Sequence, residues 1–327
     1  MTAPRNNDAF QPVSGMVMPR FAAPATFMRL PYIPVGDPRL ADVQVGVIGI
    51  PWDGGTTNRP GARHGPRQMR DLSSMIRRVH PVSKIEPFVM VNAADLGDVS
   101  VNPADLHETL GRVERFYADI AARGITPLSI GGDHLTTLPV LRGIAKGKPV
   151  GSIHFDSHTD LNDSYFDGCK FTHGTPFRRA IEEGLIDPKR MVQIGLRGTM
   201  YDGSDFEYAQ SVGARLITVD ELFERGIDSV MAEARSIVGD QPTYVTFDID
   251  FIDPAYAPGT GTPEIGGPTS YQAQQCVRAL LGVDIIGCDV VEVAPPFDPS
   301  GNTAWVGCSI MFELLCVMSA AMVKKRG

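Results

Sequence analysis

GSIHFDSHTDLND, residues 151–163, decides how the rest of the chain is read. An apolar lead-in at 153–155 runs into Asp156-Ser157-His158-Thr159-Asp160. That places carboxylate, imidazole and carboxylate on alternate residues. If the lead-in is a strand ending near Asp156, the first carboxylate stands at the carboxyl edge of a sheet. His158 and Asp160 then lie on the loop leaving it. Hard oxygen donors with one imidazole suit a divalent first-row metal such as Mn²⁺, Ni²⁺ or Co²⁺ better than a thiolate zinc site.

Working outward, the same arrangement recurs. The run at 125–130 ends in Gly131-Gly132-Asp133-His134, and the β-branched run at 243–248 ends in Asp248-Ile249-Asp250. A further run at 285–291 ends at Glu292. Short apolar runs at 43–50, 89–96, 192–198 and 215–218 read as additional strands. Helical spacing marks 103–123, 219–238, 270–281 and 303–322, and Pro66 suits the first turn of a helix reaching about residue 78. About eight strands alternating with helices predict a single three-layer α-β-α domain around a mostly parallel sheet. Ligands of such folds bind beyond the carboxyl ends of the strands, where His134, Asp156, His158, Asp160, Asp248, Asp250 and Glu292 all fall. Residues 1–40, rich in Pro and Ala, read as an arm, and 41–327 as the catalytic domain. The loop PWDGGTTNRPGARHGPR at 51–67 is long enough to be functional, with Asp53, Arg63 and His64 as candidates.

Composition narrows the function. The chain has 327 residues, 43% of them hydrophobic and 21% charged, which is ordinary for a globular protein. Thirty basic against 38 acidic residues give a net charge of −8 with no basic run, which argues against nucleic acid and anionic membrane as partners. No apolar run is expected to approach the roughly 20 residues that span a bilayer. The N-terminus shows no secretory signal. Five scattered cysteines without a CxxC read as reduced thiols of a cytoplasmic protein, with Cys169 alone on a loop near the central motif.

Four carboxylates and two imidazoles exceed the needs of one metal and match two. Two cations a few ångströms apart lower the pKa of a water between them. His173, outside the ligand set, is a candidate general acid. Glu292 could hold a planar cation by paired hydrogen bonds.

GGDH at 131–134, DSHTD at 156–160, HGTPFRR at 173–179, TFDIDFIDPAYAPGTGTPE at 246–264 and EVAPP at 292–296 together resemble the ureohydrolase family of arginases, agmatinases and guanidino-acid hydrolases. The resemblance runs from about residue 40 to the C-terminus. The 51–67 loop and HGTPFRR look closer to the agmatinase-like and guanidino-acid members. The resemblance implies a first metal on His134, Asp156, Asp160 and Asp248, and a second on Asp156, His158, Asp248 and Asp250. Asp156 and Asp248 would bridge, His173 would shuttle the proton and Glu292 would orient the guanidinium. It further implies Mn²⁺, with Ni²⁺ as the other option, and a homo-oligomer, trimer or hexamer, with assembly alongside a paralogous subunit also open. Ser157 stands where the motif usually has Ala.

The function expected is a dimetal hydrolase that cuts a guanidine C–N bond of 3-guanidinopropionate or 4-guanidinobutyrate. Asn58, Arg59 or Arg63 would meet a carboxylate tail. Asp163 or Asp167 would meet the ammonium tail of agmatine. A substituted guanidine such as metformin or guanylurea is a third option. Outside this class stand a single-zinc deacetylase, which wants a paired His-His absent here, and a non-catalytic partner subunit.

Overall fold

The computed structural model describes residues 8–145 and 147–325. Among these, eight strands form one sheet: β1 (Val45–Gly49), β2 (Ala93–Asp98), β3 (Thr126–Ile130), β4 (Val150–Phe155), β5 (Ile186–Leu196), β6 (Arg215–Thr218), β7 (Thr243–Asp248) and β8 (Ile285–Val291). Their order is β2-β1-β3-β8-β7-β4-β5-β6, and every neighbouring pair is parallel. β4 and β7 are buried along their whole length, as central strands covered on both faces must be. Alternation along β1 sends Val45 and Val47 into one apolar core and Ile48 into another.

The helices are α1 (Gly65–Leu72), α2 (Pro87–Met90), α3 (Leu106–Ala122), α4 (Thr137–Ile144), α5 (Pro176–Glu182), α6 (Ser204–Val212), α7 (Val219–Arg225), α8 (Ile227–Val238), α9 (Ser270–Arg278) and α10 (Asn302–Lys324). α1, α8, α9 and α10 supply one core, whereas α3, α4, α5 and α6 supply the other. Local chemistry sets several ends. Asp105 caps α3 by accepting from the Glu108 N–H, and Thr269 with Gln272 forms a reciprocal capping box on α9.

Four details differ from the sequence expectation. The run at 89–96 splits, because Pro87 pre-sets a helical turn and the strand starts only at Ala93. The helix opening at Pro66 stops at Leu72 and tightens into a 3₁₀ turn over Ser73–Met75, where the Ser73 hydroxyl accepts the Met28 N–H. Gly226, at φ 79°, divides 219–238 into α7 and α8. Finally, α10 is long and apolar enough to cross a membrane, with a mean hydropathy of 2.0 over its best window, contrary to the expectation that no run approaches that length. It is a core helix: two thirds of that window is buried, and it packs on α9, α1 and β8.

The arm is docked in part. Phe27, Met28, Leu30 and Ile33 are buried, and the backbone of Ile33 pairs with Asp95 beside β2. Met18 and Phe21, which share the apolar pattern, are exposed.

Candidate metal centre and active site

β3, β8, β7 and β4 are consecutive in the sheet, so four strand ends from distant parts of the chain meet. Beyond β3, Gly132 fits tightly under the 51–67 loop: a Cβ there would lie 1.5 Å from the Trp52 carbonyl oxygen. That packing delivers His134. Its Nδ1 lies 3.0 Å from Asp156 Oδ2, 2.9 Å from Asp160 Oδ2 and 3.2 Å from Asp248 Oδ2. On the far side, His134 Nε2 is 2.8 Å from the Thr246 hydroxyl, which donates to Asp289 Oδ1 at 2.5 Å. Tyr244 and Thr137 donate to the other Asp289 oxygen. Thr246 spends its proton on Asp289, so it accepts from Nε2–H, and in the neutral ring that a cation requires Nδ1 keeps its lone pair.

That lone pair tests whether a cation fits. Nδ1 is buried with no hydrogen-bond partner, and it faces three carboxylate oxygens. Acceptors converging on one point without a donor repel one another, and a divalent ion resolves the conflict. A second cluster adjoins the first. His158 Nδ1 is 3.1 Å from Asp250 Oδ2 and 3.5 Å from Asp156 Oδ1. Asp156 thus presents one oxygen to each cluster. The centre is binuclear in its donor set. Burial pushes the Asp248 carboxyl well above the usual carboxylate range, and Asp250 and Asp156 beside it add to the shift. Burial and then Asp156 raise Asp250 likewise. The Ser157 N–H and hydroxyl both donate to Asp250 Oδ1, at 3.1 and 2.7 Å, so this departure from Ala adds a hydrogen bond on a candidate ligand.

Glu292 and His173, the candidate catalytic groups, form a pair beside the clusters. Glu292 Oε1 lies 2.8 Å from His173 Nδ1 and accepts the His134 N–H at 2.9 Å. Burial opposes charge on His173, but the Glu292 carboxylate prevails and lifts the imidazole to about 9. At Nε2 the Thr57 N–H points inward at 3.2 Å, with the Thr57 hydroxyl at 2.8 Å. That N–H opposes a proton on Nε2. The Glu292 contact is shorter and carries a full charge, so the net shift is upward. Burial, and then Glu292, also hold the Asp133 carboxyl up at about 8, and Asp133 accepts the Gly55 N–H at 2.6 Å. Asp160 and Glu292 both adopt left-handed backbone, at φ 51° and 61°. Such conformations are costly for non-glycine residues, and they coincide here with two site groups.

A cleft of about 860 Å³ opens over these groups. His158, Asp160, Asp248, His173, Glu292, Asn58 and Arg59 line it. Arg63 and Asp163 do not. Arg63 pairs with the buried Asp53, which also accepts the Gly61 and Arg63 N–H groups and so staples the loop. Asp163 pairs with Arg179. His64, Asp167 and Cys169 are exposed outside the lining. Sequence reasoning misses Thr57, which meets His173, and His154, which lies within the apolar lead-in at 153–155. A histidine inside a fully buried strand is a signal in itself, because such a group needs a partner.

The arginase family model matches residues 43–317. The chain belongs to the arginase family. It is 56% identical over 319 residues to a guanidinopropionase of Pseudomonas aeruginosa, covering 98% of this chain and 99% of that one. A guanidinobutyrase of the same organism is 47% identical over 310 residues, covering 94% and 96%. Among solved structures, proclavaminate amidino hydrolase from Streptomyces clavuligerus superposes with a TM-score of 0.87 at 39% identity, covering 93% of this chain and 99% of that chain. The chain is an arginase-family amidinohydrolase acting on linear amidines, and the two adjoining clusters are its binuclear metal site.

Proposed function

We propose that the protein hydrolyses the guanidino group of a short ω-guanidino acid, with 3-guanidinopropionate first and 4-guanidinobutyrate next, releasing urea and an ω-amino acid. The observation that carries this is the 56% identity to a guanidinopropionase over nearly the whole of both chains. His134, Asp156, Asp160 and Asp248 would hold one metal, and Asp156, His158, Asp248 and Asp250 the other. The oxygen-rich donor set favours Mn²⁺, with Ni²⁺ as the alternative. When bound, the pair supplies Lewis acidity and makes water a nucleophile near neutral pH.

The remaining chemistry belongs to side chains. Glu292 spends Oε1 on His173 and the His134 N–H. Its Oε2 remains to orient the substrate guanidinium within the cleft. Cleavage of the C–N bond leaves an amine nitrogen that needs a proton. His173, whose charged form the Glu292 carboxylate favours, would supply it. A tail carboxylate needs a donor. Arg197 is committed to five backbone carbonyls, those of Gly195, Asp250, Phe251, Glu264 and Ile265. Arg59 binds the Thr260 carbonyl, lies 3.9 Å from the Phe297 ring centroid, and keeps Nε unpartnered. Arg59 and Asn58 are therefore assigned to the tail. The five cysteines are free and four are buried, consistent with a reducing cytoplasm. Assembly as a homo-oligomer is part of the proposal.

The test is urea or guanylurea release from 3-guanidinopropionate, 4-guanidinobutyrate, agmatine, arginine, metformin and guanylurea, with Mn²⁺ and Ni²⁺ supplied separately. The guanidino acids should lead and arginine should be poor. Arginine or agmatine ranking first by kcat/KM would refute the acid-tail assignment.

A further inference from the structure

β4 is buried throughout, yet it carries an imidazole in its interior. His154 is fully enclosed, stacked on Phe177 with ring centroids 4.1 Å apart and edge-on to His134 at 4.9 Å. Its Nε2 lies 2.7 Å from Asp156 Oδ2. Its Nδ1 lies 2.7 Å from Nε2 of Gln193, its direct cross-strand neighbour on β5. The same Gln193 nitrogen is 2.5 Å from the Thr159 carbonyl oxygen.

By position alone His154 could be a third imidazole ligand, because a ring nitrogen sits within 4.8 Å of donor atoms of His134, Asp156 and Asp160. The hydrogen bonds argue otherwise. The Thr159 carbonyl only accepts, so the amide nitrogen of Gln193, not its oxygen, must face it. Turning the amide over would set two acceptors against each other. The nitrogen therefore also donates to His154 Nδ1. A neutral ring that accepts at Nδ1 carries its proton on Nε2, and that proton points at Asp156 Oδ2. A protonated Nε2 has no lone pair to offer a metal.

We propose that the buried pair His154–Gln193 is the positioning device for Asp156, the carboxylate that presents one oxygen to each metal cluster. The proposal rests on the binuclear reading given above. The Nε2–H bond fixes the plane of the carboxylate, so that Oδ2 faces His134 while Oδ1 accepts the His158 N–H at 2.6 Å. Thr159 anchors the relay from within the same loop that carries His158 and Asp160. Loss of the relay frees a ligand shared by both metals, so both bind less tightly. Removing an outer partner of this kind costs about 10–100-fold in metal affinity.

The experiment is titration of the purified, metal-free full chain with Mn²⁺ against a chromophoric chelator, reading both dissociation constants. His154→Phe keeps the stack on Phe177 and removes the donor. It should weaken both metals by about 10–100-fold. His154→Gln restores a donor near the Nε2 position and should recover most of the affinity. Gln193→Leu should weaken both metals in the same direction, and it stands in if His154→Phe does not fold. Unchanged constants in the variants would overturn the proposal. So would loss of one metal with the other undisturbed and no recovery in His154→Gln, which would make His154 a ligand. A wild-type chain that bound fewer than two Mn²⁺ would instead sink the binuclear reading itself.

Discussion

His173 lies between a carboxylate that favours its charge and a backbone N–H that does not. Glu292 wins, and in the metal-free protein the ring should titrate near 9 by NMR, falling back toward its ordinary 6.5 in Glu292→Gln. The sign for stability follows. An imidazolium favoured by the fold contributes fully below 6.5, and that contribution is lost as pH rises through about 9. The denaturation midpoint of the metal-free protein should therefore be less pH-sensitive across this window in Glu292→Gln. For catalysis, His173→Ala should lower turnover by about 10²–10⁴-fold, the usual scale for a general acid, with metal content intact. Loss of metal in that variant would make His173 a ligand or a support. At the metals, Asp156→Ala should abolish both sites, because its two oxygens point to two clusters. Asp250→Ala should weaken the second site more than the first, as elemental analysis after dialysis would show.

At the scale of elements, the site depends on how loops leave strands. The turn after β3 holds because Gly132 lets the backbone pass against Trp52. Gly132→Ala forces that contact apart and should cost about 3 kcal/mol or more, at the severe end for a single substitution. A urea midpoint close to wild type would show that the loop can move aside without loss. The loop at 250–267 is gathered onto β5 by Arg197, whose guanidinium bonds carbonyls on both sides of the site. Sequence periodicity identified most of these strands and helices. It missed the division at Gly226 and the shift of β2, because one glycine or proline can end an element inside an unbroken hydrophobic pattern.

For the whole molecule, bound metals are expected to add stability as well as chemistry. The clusters join the ends of β3, β4 and β7, and without cations their carboxylates oppose one another. A ligand that binds only the folded state at 100 times its Kd adds about 2.7 kcal/mol. Chelation should therefore lower the melting temperature, and Mn²⁺ should restore it in a concentration-dependent way. A melting temperature unmoved by chelator would mean that the clusters tolerate their charge without metal.

The sequence by itself determined the chemistry of the centre. Apolar runs that lead into His134, Asp156, Asp248 and Glu292 mark the carboxyl edge of a parallel sheet, because charged groups are costly inside a buried strand unless partnered and so gather where strands leave the core. The six candidate ligands were legible for that reason, as was the fold. The tertiary structure decided which ends meet. The order β3-β8-β7-β4 brings together residues more than 150 positions apart, and no local pattern encodes strand order. It also decided which polar groups remain available. Arg63 and Asp163 looked as suitable for a substrate tail as Arg59 did, but ion pairs to Asp53 and Arg179 occupy them. His154 looked like part of an apolar strand until its partners across the sheet gave it a role. A side chain's type is written in the sequence. Whether its hydrogen bonds and charge are already satisfied depends on neighbours that only folding supplies.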